Sequence, residues 1–190
     1  MLFANTGKEN TQAVVDIVIQ TARAKKLSQI VISSTSGSVA QAFLPYAKEF
    51  KIICVGHTYY YRPEVPNSMS DTIQQELRDG GMILYFGGHV LSGAERAFSS
   101  KFGGAYPAEI VAHTLRMFGA GIKVCVECAV EALDAGLITP SPTICVGGTS
   151  SGADTAAILT PAGSMRILDT KIHEILCKPS FYPLEATSQA

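Results

Sequence analysis

The sequence predicts an α/β fold, a three-layer αβα sandwich in which helices cover both faces of a mostly parallel sheet. Three observations support this prediction. Short β-branched runs, typical of strands that are buried on both faces, alternate with apolar residues at helical spacing. Turns rich in glycine and in hydroxyl residues follow several of these runs. Towards the C-terminus the pattern alternates residue by residue, so we expect antiparallel strands at that end of the chain.

Length and composition predict one domain. The chain has 190 residues, of which 47% are hydrophobic and 16% are charged. This is enough apolar material for a substantial core and too little charge for a disordered chain. No stretch has the composition of a linker. We therefore expect a single domain over residues 1–190, with a loose tail from about residue 179 to residue 190.

Charge, hydropathy and cysteine content predict the cellular compartment of the protein and the classes of partner it binds. The net charge is −1, so we expect no nucleic-acid partner. Because no apolar run reaches membrane-spanning length and the N-terminus lacks the layout of a signal peptide, we expect a cytoplasmic protein without a membrane partner. The five cysteines lie in or beside apolar segments, which favours reduced, buried thiols. The high apolar content also indicates a possible homo-oligomer with a buried interface.

The first helix is predicted to begin at an N-cap, Asn10 or Thr11, because valine and isoleucine then recur at helical spacing. Lys25 and Lys26 suit its C-terminal end, where the helix dipole stabilises positive charge. The β-branched run Ile30–Ile32 follows directly and predicts a buried strand.

The second helix is predicted over about residues 38–50. Pro45 lies inside it, so we expect a kink or a restart near Leu44. The remaining elements follow from the same kinds of signal. Strands are predicted at 51–56, 82–86, 143–146, 155–160 and 165–177, helices at 69–78, 107–119 and 121–135, and an irregular excursion over the sheet at 90–105.

Residues 33–38 form a hydroxyl-rich turn between the first predicted strand and the second helix. Five of these six residues carry a hydroxyl group, and the sixth is Gly37. Free N–H groups at a helix N-terminus, a close backbone approach at glycine and nearby hydroxyls together suit a phosphate. The alternative is an ordinary N-cap, although one hydroxyl would be enough for capping.

A second turn of this kind spans residues 147–155. Because every strand-to-helix turn of a parallel α/β sheet falls on one edge, we expect both turns to face one ligand site there, beside the start of the first helix. We therefore predict a binding site for a phosphate-bearing small molecule. The candidate binding residues are Asn10, Thr11, Ser34, Thr35, Ser36, Gly37, Ser38, His57, Tyr59, Gly88, His89, Thr149, Ser150, Ser151, Gly152, Ala153, Asp154 and Thr155.

Some candidates have two interpretations. His57 and His89 each follow a strand, and each either donates to a phosphate or acts as an acid or base near neutral pH, or merely caps a turn. Asp154 either binds a ring or ribose hydroxyl or caps its own turn. Glu127, in a very apolar helix, is either exposed or a polar partner of the pocket.

We predict no metal site. Cys125 and Cys128 form a C-x-x-C pair, but no second cysteine pair and no His-x-x-x-His complete a zinc site. Their apolar neighbours indicate a place in the core.

The sequence resembles the C-terminal domain of pyruvate kinase. The Ser-Gly-Arg-Ser-Ala phosphate loop of that domain corresponds to residues 36–40, Ser-Gly-Ser-Val-Ala, and its second glycine- and serine-rich loop corresponds to residues 151–155. The chain is more similar still to stand-alone proteins of this type, mainly archaeal and bacterial. These share the opening Gly-Lys-Glu-Asn-Thr at 7–11, Lys-Phe-Gly-Gly at 101–104 and Ala-Leu-Asp-Ala-Gly-Leu-Ile at 132–138.

The resemblance implies a pyruvate kinase C-terminal-like fold and flavin mononucleotide (FMN), or a similar phosphate-bearing molecule, as the ligand. In pyruvate kinase both loops hold a sugar bisphosphate. Here Ser38 replaces the loop arginine and Val39 replaces the second loop serine, which favours a ligand with one phosphate and a flat ring. Tyr59, Tyr60 or Tyr61 is expected to stack on that ring.

Three functions follow from this pattern. The first is binding of a phosphorylated mononucleotide, with FMN as the expected cofactor. The second is an enzyme that acts on a small phosphorylated metabolite, with His57 or His89 as its acid or base. The third is a regulatory or assembly module that is switched by its ligand. The residues do not decide whether the protein is an enzyme.

Overall fold

The buried apolar runs form one sheet in the computed structural model, which describes residues 1–181. Within this range the sheet has seven strands. They are β1 (Leu2–Phe3), β2 (Gln29–Ser33), β3 (Lys51–Gly56), β4 (Ile83–Phe86), β5 (Thr143–Gly147), β6 (Thr155–Thr160) and β7 (Lys171–Pro179).

Helices precede or connect most of these strands. The α-helices are α1 (Thr11–Lys25), α2 (Ser38–Phe43), α3 (Asp71–Asp79), α4 (Gly93–Phe102), α5 (Pro107–Arg116) and α6 (Ala120–Asp134). Short 3-10 helices lie at Lys8–Asn10, Leu44–Tyr46 and Ser164–Asp169.

The strand order is β1-β7-β6-β5-β2-β3-β4. Strands β5, β2, β3 and β4 are parallel, β6 runs antiparallel to both of its neighbours, and β1 pairs in parallel with β7. From β2 the chain proceeds to β3 and β4 on one side, whereas β5 lies on the other side of β2. The strand order therefore reverses between β2 and β5, the position at which ligands bind in open α/β sheets.

Alternate residues of the strands enter two hydrophobic layers. Ile30 and Ile32 of β2 belong to the layer that includes buried residues of α1, α2 and α3. Val31, between them, belongs to the layer with Ile53 of β3 and the apolar face of α6. Burial on both faces of the central strands explains their continuous β-branched sequences.

The predicted α/β class, with a mostly parallel sheet and antiparallel strands near the C-terminus, is confirmed. The predicted break at Pro45 is also confirmed, because α2 ends at Phe43 and a 3-10 helix follows at Leu44–Tyr46. All five cysteines are buried and free, as the composition predicted.

Three elements differ from the sequence prediction. Strand β1 has only two residues, too few for a periodic signal. Residues 93–102 form α4 instead of an irregular excursion, and none of its residues is buried, so no face of this helix packs into the core. Strand β7 begins at Lys171, because a 3-10 helix occupies Ser164–Asp169.

The first residue of the predicted C-terminal tail belongs to the sheet. Pro179 is the last residue of β7 and is buried, opposite Phe3 in the register. The Ser180 N–H donates a hydrogen bond of 2.8 Å to the Phe3 carbonyl. The rest of the predicted tail, residues 182–190, lies outside the described residues.

Over residues 1–181, every helix is too short or too polar to cross a bilayer.

The turn between β2 and α2 depends on Gly37. Its φ is +94°, and a Cβ atom there would lie 2.4 Å from Ile73 Cγ2. We therefore predict that Gly37→Ala lowers the free energy of unfolding by about 2 kcal/mol, from backbone strain and crowding together. Urea unfolding monitored by circular dichroism measures this change.

Gly93→Ala is the matched control for Gly37→Ala. Gly93 opens helix α4, and a Cβ atom there would have no neighbour within 4 Å. The control should change the free energy of unfolding by less than about 0.5 kcal/mol. Equal destabilisation by the two substitutions would contradict the assigned strain at Gly37.

Candidate functional site

A cleft of about 400 Å³ opens at the carboxyl edge of the parallel strands. It lies at the reversal of strand order, between the loop after β2 and the loop after β5. Ten of the predicted site residues line it: Ser34, Thr35, Ser36, Ser38, His57, His89, Thr149, Ser150, Ser151 and Gly152. The two hydroxyl-rich loops, which are distant in sequence, therefore share one cleft.

In the loop after β2, one serine hydroxyl has a structural role and two others are exposed and can contact a ligand. The Ser34 hydroxyl is buried and accepts a hydrogen bond of 3.2 Å from the Ala40 N–H, so it caps helix α2. The Ser36 and Ser38 hydroxyls are exposed and lie 3.3 Å from each other. One serine thus satisfies the helix, and the other two face the cleft.

The loop after β5 is held in place by the buried carboxylate of Asp154. Its Oδ2 accepts hydrogen bonds of 3.1 Å from the N–H groups of Gly7 and Thr149, and its Oδ1 accepts one of 2.8 Å from the Thr155 hydroxyl. Asp154 therefore caps and anchors its turn, the second of its two predicted interpretations. The Thr11 hydroxyl supports the same loop by accepting a hydrogen bond of 3.0 Å from the Ala153 N–H.

Gly152 brings this loop against the start of the first helix. Its φ is +72°, and a Cβ atom there would lie 2.4 Å from Lys8 Cα. A side chain would therefore push the two segments apart. Residues near the N-terminus are positioning elements of the loop and do not line the cleft.

Eight of the predicted binding residues do not line the cleft: Asn10, Thr11, Gly37, Tyr59, Gly88, Ala153, Asp154 and Thr155. Asn10 donates to the Asn5 carbonyl, at 2.8 Å. The Tyr59 hydroxyl lies 3.4 Å from Gln74 Oε1, and its ring packs edge-on against Phe86. Of the three consecutive tyrosines, Tyr61 is the one that lines the cleft.

One wall of the cleft carries buried charge from helix α6. Lys123, Glu127 and Glu131 follow each other at four-residue spacing on one face of the helix and are only 5%, 2% and 2% exposed. The Lys123 ammonium forms an ion pair with Glu127 Oε2. Glu127 is therefore a polar partner of the pocket, one of its two predicted interpretations.

The two glutamates also position the loop after β4. Glu127 Oε1 accepts a hydrogen bond of 3.1 Å from the Leu91 N–H, and Glu131 Oε1 accepts one of 3.3 Å from the Val90 N–H. His89 Nδ1 lies 3.2 Å from Glu127 Oε2 and 3.9 Å from Glu131 Oε1. These contacts fix His89 at the edge of the cleft.

Charge coupling separates the pKa values in this cluster. Burial alone would raise the pKa of Glu127, but the hydrogen bond from His89 and the charge of Lys123 outweigh it and lower that pKa to about 2. Burial and the neighbouring Glu127 charge raise the pKa of Glu131 to about 7. The hydrogen bond to Glu127 raises the pKa of His89.

His57 lies beside this cluster and has no polar partner for one ring nitrogen. Its ring packs 4.8 Å from the His89 ring and 4.2 Å from the Tyr61 ring. Burial and the positive charge of His89 lower the pKa of His57, which favours the neutral imidazole. Its Nδ1 is buried and lacks a hydrogen-bond partner among residues 1–181. A polar group of a bound molecule would satisfy this atom.

Three side chains of the cluster have the donor set of a metal site. Ligand atoms of His89, Glu127 and Glu131 all lie within 4.8 Å of one another. The Lys123 ammonium and the N–H groups of the β4 loop already contact these carboxylates. Positive charge from the protein itself thus balances Glu127, and we assign the cluster to loop positioning.

Several lining residues were not predicted from the sequence: Ser92, Arg96, Arg116 and Lys123. For Lys123 a signal was present in the sequence: Lys123, Glu127 and Glu131 recur at four-residue spacing in an apolar helix, which indicates a buried charged face. Arg96 carried no such signal, because no face of the helix on which it lies is buried. Three cationic side chains therefore line the cleft, although Ser38 stands where the resembling phosphate loop has its arginine.

A sequence model of the family described as "Pyruvate kinase, alpha/beta domain" matches residues 12–159, more than half of the chain. The matched range includes both hydroxyl-rich loops and the charged face of α6. Gly7, whose N–H binds Asp154, precedes it. The match thus covers the residues that line the cleft.

The pKa of Glu131 predicts a pH-dependent cost of folding. Because its pKa is about 7 in the folded protein and 4.5 ordinarily, the folded state keeps this proton to higher pH. Glu131 therefore contributes stability below about pH 4.5 that is lost as the pH rises through 7. Glu131→Gln removes this titration. Between pH 5 and pH 8, the free energy of unfolding of the variant should therefore rise by about 2 kcal/mol relative to that of the unchanged protein.

Urea unfolding at both pH values tests this prediction. Glu64→Gln is the matched control, since Glu64 is exposed. If Glu131→Gln changes the free energy of unfolding equally at pH 5 and at pH 8, Glu131 does not keep its proton to higher pH in the folded state.

Proposed function

The chain belongs to the pyruvate kinase alpha/beta domain family, and from that premise we propose that it binds a phosphorylated, mononucleotide-like small molecule. FMN is our specific candidate. The observation that carries the proposal is the shared cleft of about 400 Å³, which is lined by five hydroxyl residues of the 33–38 loop and by residues 148–152 of the other loop. A volume of this size lies within the range of small-molecule sites in proteins.

The phosphate is assigned to the hydroxyl-rich loops. Ser36 and Ser38 present exposed hydroxyls at the start of α2, and Ser150 and Ser151 line the cleft from the other loop. Hydroxyls and free N–H groups at a loop-to-helix junction are donors that suit phosphate oxygens. Lys123, whose ammonium forms an ion pair with Glu127, also lines the cleft on the α6 wall.

The ring of the ligand is assigned to the side of the cleft with His57 and Tyr61. Their rings already pack together at 4.2 Å and offer aromatic surface to a planar group. The buried Nδ1 of His57 supplies one polar contact. FMN is preferred within this class because it combines one phosphate with a flat ring and because the resemblance in sequence implies it.

Comparison of FMN with riboflavin tests the role of the phosphate. We expect FMN to bind at least tenfold more tightly, since riboflavin lacks the group that the hydroxyl-rich loops would hold. The quenching of flavin fluorescence on titration with protein measures both dissociation constants. At 100 times its dissociation constant, FMN should also stabilise the protein by about 2.7 kcal/mol.

The double variant Ser36→Ala/Ser38→Ala should reduce this preference for FMN over riboflavin. Ser28→Ala is the matched control, because Ser28 is exposed and precedes β2 at the opposite end of that strand. The absence of any binding or thermal stabilisation by FMN would rule out FMN. Equal affinity for FMN and riboflavin would rule out the assigned phosphate contact.

A second candidate function is an enzyme acting on a small phosphorylated metabolite. The specific observation in its favour is the unpartnered His57 Nδ1 at the cleft. A neutral imidazole in contact with a ligand can act as a general base. Incubation with a panel of phosphorylated metabolites, followed by phosphorus NMR, would detect turnover. In this candidate function, His57→Gln abolishes turnover and leaves ligand binding measurable.

A further inference from the structure

We propose that the cleft takes up a proton when it binds its anionic ligand, and that His89 and Glu131 hold this proton. The protein thereby adjusts the charge of the α6 wall to the charge of the ligand. This inference rests on the proposed function, because it concerns the same cleft and the same phosphate-bearing ligand. It adds to that function a coupling between ligand binding and protonation.

The charged face of α6 lacks one positive charge when it is fully ionised. Glu127, Glu131 and Lys123 are all buried. If both glutamates are ionised and His89 is neutral, two carboxylates face a single ammonium and the group carries one net negative charge. An unbalanced charge away from water is costly. One proton, on either Glu131 or His89, makes the group neutral.

The geometry allows both residues to hold that proton. His89 Nδ1 lies 3.2 Å from Glu127 Oε2 and 3.9 Å from Glu131 Oε1, so a protonated His89 faces two carboxylates. A protonated Glu131 needs no cation beside it. The hydrogen bond to Glu127 raises the pKa of His89, and burial raises the pKa of Glu131 to about 7. Both groups therefore change protonation near neutral pH.

A bound anion favours the protonated state of this pair. His89, Lys123 and Glu127 line the same cleft as the hydroxyl-rich loops. A phosphate in the cleft thus adds negative charge beside a wall that already contains two carboxylates. Salt screens such partly buried charges less than it screens exposed ones. Because nearby negative charge favours protonation, ligand and proton bind together, and the affinity for the ligand falls as the pH rises.

The neighbouring groups on α4, α5, α6 and β4 do not supply or take this proton near pH 8. Burial raises the pKa of Tyr85, and the charge of Asp134 raises it further. Burial also raises the pKa of the Cys128 thiol, so both groups stay protonated. Arg96 and Arg116 line the cleft from α4 and α5, and guanidinium groups stay charged in proteins.

His57 is the competing site for the proton. It lies in the loop after β3, with its ring 4.8 Å from the His89 ring and 4.2 Å from the Tyr61 ring. Burial and the charges of His89 and Arg62 lower the pKa of His57. A proton on His89 therefore keeps His57 neutral. The contact with two buried carboxylates distinguishes His89 from His57.

Isothermal titration calorimetry with FMN at pH 8 tests the coupling. A phosphate monoester, with a second pKa of about 6, is dianionic at this pH, so the protein must accept the proton. Titrations in HEPES and in Tris, which differ in heat of ionisation, give the number of protons taken up per FMN. EDTA in both buffers prevents exchange of a metal ion for protons. We expect an uptake of about half a proton or more, and an affinity that falls at least about threefold per pH unit.

His89→Gln/Glu131→Gln should abolish the uptake, because neither side chain then titrates. His57→Gln should retain the uptake per bound FMN, even where it weakens binding. His113→Gln is the matched control, since His113 is exposed on α5 and lies outside the cleft lining.

The single variant Glu131→Gln gives an independent result of opposite sign. Its amide oxygen can still accept the hydrogen bond from the Val90 N–H, but the wall loses one negative charge. We expect it to take up fewer protons and to bind FMN about threefold more tightly than the unchanged protein at pH 8.

Three results would overturn the inference and leave the proposed function standing. They are FMN binding without proton uptake, uptake that the double variant retains, and uptake that only His57→Gln removes. Weaker FMN binding by a folded Glu131→Gln variant at pH 8 would also contradict the inference. If FMN does not bind between pH 6 and pH 8.5, the assignment of FMN fails, and this inference fails with it.

Discussion

The parallel pairing of β5 with β2, on the side away from β3, is the constraint on which the site depends. After β2 the chain continues to β3 on one side, and after β5 it continues to β6 on the other side. The two loops therefore diverge, which leaves a gap between them at the carboxyl ends of these neighbouring strands. Ser36 and Ser151, far apart in sequence, line that gap together. Without this reversal the two hydroxyl-rich loops, one leading into α2 and the other joining β5 to β6, would not share a cleft.

A single buried carboxylate maintains the second loop in this arrangement. Asp154 joins the N–H of Gly7 to the N–H of Thr149 and is fully buried while doing so. A buried carboxylate is costly unless hydrogen bonds satisfy it, and three donors do so here. The start of the chain is thereby part of the architecture of the cleft, although it lies outside the cleft lining.

The α6 wall combines several buried charges, which is costly for folding and useful for a polar ligand. Ion pairs that exclude water rarely improve stability relative to apolar residues of similar size. Here Glu127 and Glu131 hold the loop after β4 by accepting hydrogen bonds from the N–H groups of Leu91 and Val90, and Lys123 forms an ion pair with Glu127. The carboxylates are occupied by these contacts, so the side of the cleft that remains available is basic and rich in hydroxyls. This charge distribution suits an anion.

The sequence by itself determined the α/β class, the main strands, the break at Pro45, the buried cysteines and the two hydroxyl-rich loops. These features follow from local periodicity and from residue types with strong conformational preferences. Only the tertiary structure decided which hydroxyls are available, that Asp154 is an anchor, that Tyr61 rather than Tyr59 lines the cleft, and that Arg96 and Arg116 reach it. The physical reason is that each of these outcomes depends on contacts between segments distant in sequence, and helix α4, which carries Arg96, has no buried face to mark it.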